Sequence, residues 1–143
     1  MIITLPPSTG DEPLSAAQLI PKCDGSILVT TPQDVALISV HKSIRFSEKL
    51  KVPIIGLVDN IHGLICPHCA KSIEVFGTDG VEKASKDSKI PILARLPIEP
   101  KIAKMEDMGT VLLELLKNNM EWPKNLEYVV NAVGQIPEEK LVK

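Results

Sequence analysis

Aromatic residues are scarce in this chain, where two Phe, one Tyr and one Trp amount to 3% of 143 residues. A folded core therefore has to be built mainly from Ile, Leu and Val. Long apolar runs are also missing, since no stretch approaches the roughly 18 residues that span a bilayer. The N-terminus lacks a basic segment leading into an apolar signal core. We therefore expect a cytoplasmic protein that does not bind membranes.

An excess of one charge is absent as well. The 16 Lys and Arg and 18 Asp and Glu give a formal net charge of -2, which leaves no electrostatic footprint for nucleic acid. Cysteine is limited to three residues, and an odd number fits a reducing compartment better than a disulfide framework. The chain is long enough to fold as one domain without such cross-links.

Short β-branched segments alternate with helical patterns along the sequence. The segments are MIITL (1–5), SILVT (26–30), PIIGLV (53–58) and PILARL (91–96). Their apolar character throughout is typical of parallel strands that are covered on both faces. Between the second and third segments, apolar residues recur at helical spacing over 34–50, with Asp34 as a suitable N-cap. These patterns predict an α/β fold of three layers, α/β/α, with a mainly parallel sheet.

Further helices are expected on both sides of this core. The helical patterns are AAQLIPKCDG (16–25), GVEKASKDS (80–88) and MGTVLLELLKNN (108–119). In the first of them, Cys23 is expected to pack as a small buried residue. Near the C-terminus, a helical stripe of apolar residues is expected to pack onto the domain: Leu126, Val129, Val130 and Val133. We place a partial α/β domain at 1–120 and a helical extension at 121–143.

Polar loops follow the predicted strands: PPSTGDEP, TPQD, DNIHG and PIEP. The carboxyl ends of parallel strands meet at one edge of a sheet, which is where open α/β sheets bind ligands. Pro, Gly, Asp and Asn are also ordinary turn residues. Composition alone therefore favours plain turns over a binding edge.

The segment 64–77 contains a Cys-x-x-Cys, formed by Cys66, Pro67, His68 and Cys69. A thiol-disulfide oxidoreductase would place the first Cys at the start of a long helix, whereas the SIEVFG after the second Cys is β-branched and ends in Gly. Two thiols are half of a four-ligand zinc or iron-sulfur site, and a two-fold dimer would supply the rest. His62 and His68 are alternative ligands, and soft thiolates suit both zinc and iron-sulfur clusters.

The exact sequences of the loops give further information about the family. The pieces LPPSTGD, VTTPQDVAL, VDNIHGLICPHC, EVFGTDG and ARLPIEPKI occur in an order and spacing that resemble the Mrp (ApbC-like) family of deviant P-loop ATPases, which carry iron-sulfur clusters. The resemblance runs from about Leu5 to Lys117. It implies the C-terminal half of a P-loop NTPase domain, with a small loop or hairpin inserted at 64–76.

The same resemblance implies a function. The chain is expected to be a cytosolic homodimer in which Cys66 and Cys69 of both subunits hold a labile [4Fe-4S] cluster, for delivery to apo iron-sulfur proteins. ATP binding and slow hydrolysis would be coupled to cluster loading or delivery. A zinc-stapled structural or regulatory dimer is the first alternative, and a thiol-disulfide oxidoreductase is the second.

The phosphate side of the implied nucleotide site is incomplete. PPSTGD resembles the family's PPGTGD, which places Thr9, Gly10 and Asp11 near the phosphates, although Ser8 replaces a glycine. Thr4 stands where the family has an aspartate. The chain also lacks G-x-x-x-x-G-K-[ST], so the Gly-rich cradle and the phosphate lysine are missing. We therefore assign no catalytic residue and expect no ATP hydrolysis by this chain alone.

The base side of that site is better preserved. Asn60 in VDNIHG matches the family's adenine contact, and its amide offers both a donor and an acceptor to a base edge. Pro97, Ile98 and Glu99 resemble the loop that packs beside the adenine. We expect weak ATP binding by the isolated chain, and a separate P-loop-containing chain as a partner that would complete the site.

Overall fold

The structure is a computed structural model that describes residues 1–6, 10–20, 23–66, 68–69, 71–77, 79–100, 102, 107–109 and 121–135. The helices in these ranges are α1 (Asp11–Leu19), α2 (Asp34–Lys49), α3 (Asp79–Ser88) and α4 (Glu121–Gly134). The strands are β1 (Ser26–Thr30), β2 (Ile54–Ile65), β3 (Ser72–Ile73) and β4 (Ile92–Ile98).

Strand β2 is the centre of the sheet. It pairs in parallel with β1 and with β4, so that Leu57 lies opposite both Leu28 and Ile92. The crossovers through α2 and α3 return the chain to the same edge of the sheet, which is what parallel pairing requires. The last residues of β2 pair with β3 instead, antiparallel, with Leu64 opposite Ile73. The prediction of a mainly parallel sheet is confirmed.

Helices cover both faces of this sheet. On one face, α2 and α3 pack on the sheet in a cluster of buried residues: Leu37, Val40, Ile44, Leu57, Val81, Ala84 and Ile90. On the other face, Val129 of α4 packs against Val58 and Leu96. The side-chain amide of Asn125 also donates to the carbonyl oxygen of Arg95, with 2.7 Å between nitrogen and oxygen. Because successive strand residues point to opposite faces, β2 contributes to both cores, and the predicted α/β/α layering is confirmed.

The helix boundaries correct two predictions. The N-cap of α2 is Gln33, and Asp34 is the first helical residue, where its charge still complements the helix dipole. Helix α1 ends at Leu19, since Ile20 is already extended (φ -85°, ψ 111°), as expected of a residue that precedes proline. Cys23 therefore lies in the loop before β1, half-buried, and its predicted position on a helix is wrong.

The N-terminal segment gives the clearest disagreement. MIITL is predicted to be a strand, but residues 1–6 have no regular secondary structure, and Met1, Ile2 and Leu5 are exposed. A strand persists only where a neighbour satisfies its backbone hydrogen bonds. The segment does not pair with the free side of β1, so it finds no such neighbour in the described part of the chain.

The C-terminal predictions are met in part. Helix α4 forms as expected, and Leu126, Val129 and Val133 are partly buried, but Val130 is exposed. The helix predicted at 108–119 lies outside the described residues apart from its first two positions. Every helix in the described part of the chain is too short or too polar to cross a membrane.

Candidate metal centre

Strand β2 is unusually long. It carries the base-side residue Asn60 and leads to the candidate metal ligands Cys66 and Cys69. The strand has 12 residues, which span at most about 36 Å from the first Cα to the last at roughly 3.3 Å per step. DNIHG, predicted as a loop, lies within it, because the pairing with β4 continues to Asn60 opposite Leu96 and resumes at Leu64 opposite Ile98. The strand thus leads from the buried sheet into the Cys-x-x-Cys.

A bulge interrupts β2 between these two pairs. Residues 61–63 of β2 face Pro97 alone on β4. Ile61 and Gly63 have positive φ angles of 63° and 98°. A Cβ at Gly63 would lie 3.0 Å from the carbonyl oxygen of Ile73, so the close approach and the left-handed backbone both favour glycine. A bulge bends its strand and redirects the residues beyond it, and this one precedes the cysteines directly.

Cys66 and Cys69 lie at the tip of the β2–β3 hairpin. The backbone N–H of Cys66 donates to the carbonyl oxygen of Lys71 at 3.0 Å, which adds one hydrogen bond beyond the last strand pair. Both thiols are free, Cys69 exposed and Cys66 half-buried. Of the predicted loop or hairpin, the structure has the hairpin, although Pro67 and Ala70 lie outside the described residues.

The turn stabilises a thiolate on Cys66. The backbone N–H of His68 donates to its sulfur, followed in importance by the N–H and the thiol of Cys69, and together they lower the pKa of Cys66 below its ordinary value. Hydrogen bonds to the charged form of a group favour that form. Because the thiolate is the form that binds metal, the two adjacent sulfurs are suited to act as a two-ligand clamp.

A single chain does not complete a metal site in the part that the structure describes, where no group of three or more Cys, His, Asp and Glu is placed to hold an ion. Cys23 lies elsewhere, with its sulfur 3.6 Å from the carbonyl oxygen of Gly25. His62 is engaged by a carboxylate: its Nδ1 is 2.6 Å from Oδ2 of Asp59. Among the described residues, Cys66 and Cys69 are therefore the candidate ligands that lie together, and their role in metal binding stays a prediction.

The pair of Asp59 and His62 is a feature that sequence reasoning missed. Asp59 is buried, and its Oδ1 has no hydrogen-bond partner in the described part of the chain. Burial raises the pKa of Asp59, while attraction by His62 and Arg95 opposes the rise. On a regular strand, residues three apart point to opposite faces, so the spacing of Asp59 and His62 did not indicate a contact between them. The bulge brings the two side chains together.

The base-side residues meet at the carboxyl end of the parallel strands. Asn60 is next to Leu96, and Pro97 and Ile98 complete β4, so PIEP begins as strand and not as a loop. Glu99 comes directly after β4. The side-chain oxygen of Asn60 accepts from the N–H of Ile61 at 3.0 Å, which leaves its amide N–H groups as donors. Their contact with a base stays a prediction.

The phosphate-side residues lie at the start of α1. Gly10 is the N-cap of this helix and Asp11 is its first residue, whereas Thr9 lies outside the described residues. Helix N-termini favour negative charge, and Asp11 and Glu12 already supply it in the first turn. The role of these residues toward phosphates also stays a prediction.

Comparison with known proteins gives consistent matches. Residues 1–134 match the family model described as ParA, NUBPL iron-transfer P-loop NTPase. The iron-sulfur cluster carrier protein of Pyrococcus horikoshii is 43% identical over 138 residues, which are 95% of this chain and 46% of that protein. A cytosolic Fe-S cluster assembly factor NUBP2 homolog of Nematostella vectensis is 38% identical over 121 residues, covering 83% and 45%.

A solved structure agrees with these matches. The nucleotide-binding protein of Archaeoglobus fulgidus in complex with ADP aligns with a TM-score of 0.64 and 32% identity, over 72% of this chain and 42% of that one. The chain spans a little under half the length of these relatives. Since the family model matches almost the whole chain and the relatives are about 40% identical to it, the chain belongs to the NUBPL-type iron-transfer P-loop NTPases.

Proposed function

We propose that this chain is an iron-sulfur cluster carrier that binds a [4Fe-4S] cluster at the tip of its β2–β3 hairpin. The observation that supports this most directly is the pair of adjacent free thiols, with backbone N–H groups donating to Cys66 and lowering its pKa. Thiolates are the usual ligands of such clusters. The names of the relatives from Pyrococcus and Methanocaldococcus support the same role.

The cluster would lie between two subunits. A cubane cluster normally takes four cysteines, and this hairpin presents Cys66 and Cys69. A two-fold axis through the cluster would bring the same pair from a second chain. The apolar side chains of Ile65, Ile73 and Val75 are exposed around the tip. A second subunit would cover this surface, which favours the homodimer over a monomeric site.

Nucleotide binding would be weak in this chain alone. The base-side residues Asn60, Pro97 and Ile98 lie together, but the sequence has no Gly-rich phosphate loop. ATP, when bound, would supply binding energy to drive a change of conformation, and this chain would contribute contacts to the base. A separate chain with the P-loop is the partner expected to provide the phosphate contacts and hydrolysis.

The cargo would pass to apo iron-sulfur proteins. This delivery is the consequence of the carrier role, and the Nematostella relative is named as an assembly factor of the cytosol. A cytoplasmic location, expected from the sequence, stays a prediction. Hairpin thiols that are free and partly exposed suit a cluster that is loaded and released.

Anaerobic reconstitution with iron and sulfide tests the proposal. The wild-type chain should turn brown, with a broad absorption toward the blue end of the visible range and about two iron atoms per chain, and light scattering should give a dimer. Cys66→Ala and Cys69→Ala should each abolish iron retention and cluster-dependent dimerisation. Cys23→Ala, which removes a thiol outside the hairpin, is the matched control and should behave as wild type. If Cys23→Ala alone bleaches the protein, the ligand assignment is wrong.

Zinc is the second candidate, because two thiolates on a hairpin also suit half of a tetrahedral zinc site. A zinc-stapled dimer would be colourless and would contain about one zinc per two chains. Metal analysis of the purified protein, together with its visible spectrum, separates zinc from a cluster. The redox alternative has less support, since Cys66 lies at a hairpin tip and not at the start of a helix.

A further inference from the structure

The outer face of helix α2 has a stripe of apolar and basic residues for which the proposed function has no use. The inner face packs into the core through Leu37, Val40 and Ile44. The opposite side presents residues spaced by three or four positions, which share one helix face: Val35, Ile38, Lys42, Arg45, Phe46 and Lys49. This α2 stripe is about 21 Å long at a rise of about 1.5 Å per residue.

The first half of the α2 stripe is apolar and open. Val35 is 78% exposed and Ile38 is 60% exposed. Single exposed apolar residues are common on protein surfaces. These two are one turn apart on a face that continues directly into charged residues, and burying both side chains would remove a substantial apolar area from water.

The second half is basic. Lys42, Arg45 and Lys49 are exposed and line a shallow groove with the half-buried ring of Phe46. Glu48 is the only acidic residue in this half of the helix sequence, and neither ion pair found among the described residues, His62 with Asp59 and Arg95 with Glu82, involves these cations. The positive patch therefore contrasts with the net charge of -2 of the whole chain.

We propose that the α2 stripe is a docking surface for an acidic amphipathic segment of a partner protein. The acidic residues of the segment would face Lys42, Arg45 and Lys49, and its apolar residues would cover Val35 and Ile38. Charge complementarity of this kind gives orientation and a faster encounter, and amphipathic segments commonly bind by covering apolar residues of a groove with their own apolar face. The order of the two halves fixes the direction of the bound segment.

Two other occupants fit this surface less well. A second copy that packs α2 antiparallel on α2 would bring Val35 opposite Lys49, and a parallel arrangement would bring cations opposite cations. A membrane would require apolar residues along the length of the stripe, since interfacial helices bury one continuous apolar face. Val35 and Ile38 supply only one end of such a face.

The basic half of the α2 stripe lies at the other end of β2 from the hairpin. Helix α2 ends at Lys49 and strand β2 begins at Ile54, so the basic half lies toward the amino-terminal end of β2. The cysteines come after the other end of that strand, at Cys66. A segment bound to the basic half would leave the thiols accessible, and the docking surface does not depend on the metal.

Fluorescence anisotropy with the metal-free chain tests the docking surface. The probe is a labelled helical peptide of Ala, Leu and Glu with Leu at one end and Glu at the other end of a single face. We expect saturable binding that weakens with salt. The triple variant Lys42→Glu, Arg45→Glu, Lys49→Glu should weaken binding about tenfold or more at low salt. Val35→Ser with Ile38→Ser should also weaken it, and thermal unfolding should show that both variants fold.

The control is a triple change on another helix region, Lys83→Glu, Lys86→Glu, Lys89→Glu, which alters the net charge equally at exposed positions. This variant should bind the probe within about twofold of wild type. An equal loss in the control would reduce the effect to net charge and overturn the proposal. The proposal would also be overturned if the probe did not bind or if an all-Glu peptide bound equally well. It would be overturned as well if phosphatidylserine vesicles or duplex DNA bound the stripe more tightly than the probe does.

Discussion

The two parts of strand β2 differ sharply. In the inner part, residues 54–60, the strand pairs with β1 and with β4 and is covered by helices, and Leu57 and Val58 are 0% and 4% exposed. In the hairpin part, residues 65–73, the end of β2 pairs among the described residues with the two-residue strand β3, and Ile65 and Ile73 are 37% and 47% exposed. The inner part is complete within one chain. The hairpin is preformed, and in the proposed function a metal and a second subunit would cover its exposed residues.

The largest expected contrast is in folding stability. Leu57→Ala should lower the free energy of unfolding by about 3 kcal/mol, because it removes a fully buried side chain and leaves a cavity. Ile73→Ala in the hairpin should change it by less than about 0.5 kcal/mol. Urea unfolding of the metal-free protein measures both values. Similar losses in the two variants would show that the hairpin packs as firmly as the core.

Metal binding should act on the hairpin and leave the inner strand unchanged. In the free chain, the N–H of Cys66 is bonded to the carbonyl oxygen of Lys71 in a part of the structure with little packing around it. Ligation through Cys66 and Cys69 should slow amide hydrogen exchange in the hairpin about tenfold or more, with Leu57 unaffected. Zn²⁺ titration followed by exchange mass spectrometry tests this, with Cys69→Ala as the control. Slower amide exchange along the whole of β2 would contradict the distinction between its inner part and the hairpin.

Of the two parts of β2, nucleotide binding should depend on the inner part and not on the hairpin. Because the sequence has no phosphate loop, ATP and ADP should bind the isolated chain weakly and within about threefold of each other. Asn60→Ala should weaken both, whereas Ile73→Ala should weaken neither. Titration calorimetry gives these affinities. Tight Mg²⁺-dependent binding of ATP, or turnover above background, would show that the phosphate side is more complete than the sequence indicates.

The smallest expected effect concerns Asp59. Burial raises its pKa in the folded chain, so the ionised carboxylate costs stability at neutral pH, and this cost is relieved as the pH falls toward the ordinary value of 3.8. Asp59→Asn keeps an acceptor for His62 and removes the buried charge. It should raise the free energy of unfolding at pH 7 by less than about 1 kcal/mol, and the gain should shrink in acid. Urea unfolding at several pH values checks the sign. A gain that grows in acid would contradict this assignment.

Local patterns predicted the helices and the parallel core well. Helices α2 and α3 and strands β1 and β4 depend on apolar residues at short regular spacing, which are visible in the sequence. The N-terminal segment was misjudged because MIITL has the composition of a strand but no described neighbour pairs with it. Pairing is a long-range property that composition does not report.

The candidate site was also predicted only where local sequence determines it. Cys66 and Cys69 were identified because a Cys-x-x-Cys turn is a local motif, and the structure places them together. DNIHG was misjudged, since Asp, Asn and Gly are typical of turns, yet pairing with β4 extends the strand through Asn60. Asp59 and His62 were missed because only the bulge brings them into contact.

The number of residues in the bulge also affects which side of the sheet the residues after it face. Between the pairs that flank it, β2 has three residues and β4 has one, so the surplus is two. An even surplus preserves the alternation of side chains, so Leu64 and Ile65 face the sides of the sheet that an uninterrupted strand would give them. Inserting two residues within 61–63 would therefore keep Leu64 on its present side, opposite Ile98. Inserting one residue would make the surplus odd, and the bulge would then have to take another geometry for Leu64 to stay opposite Ile98.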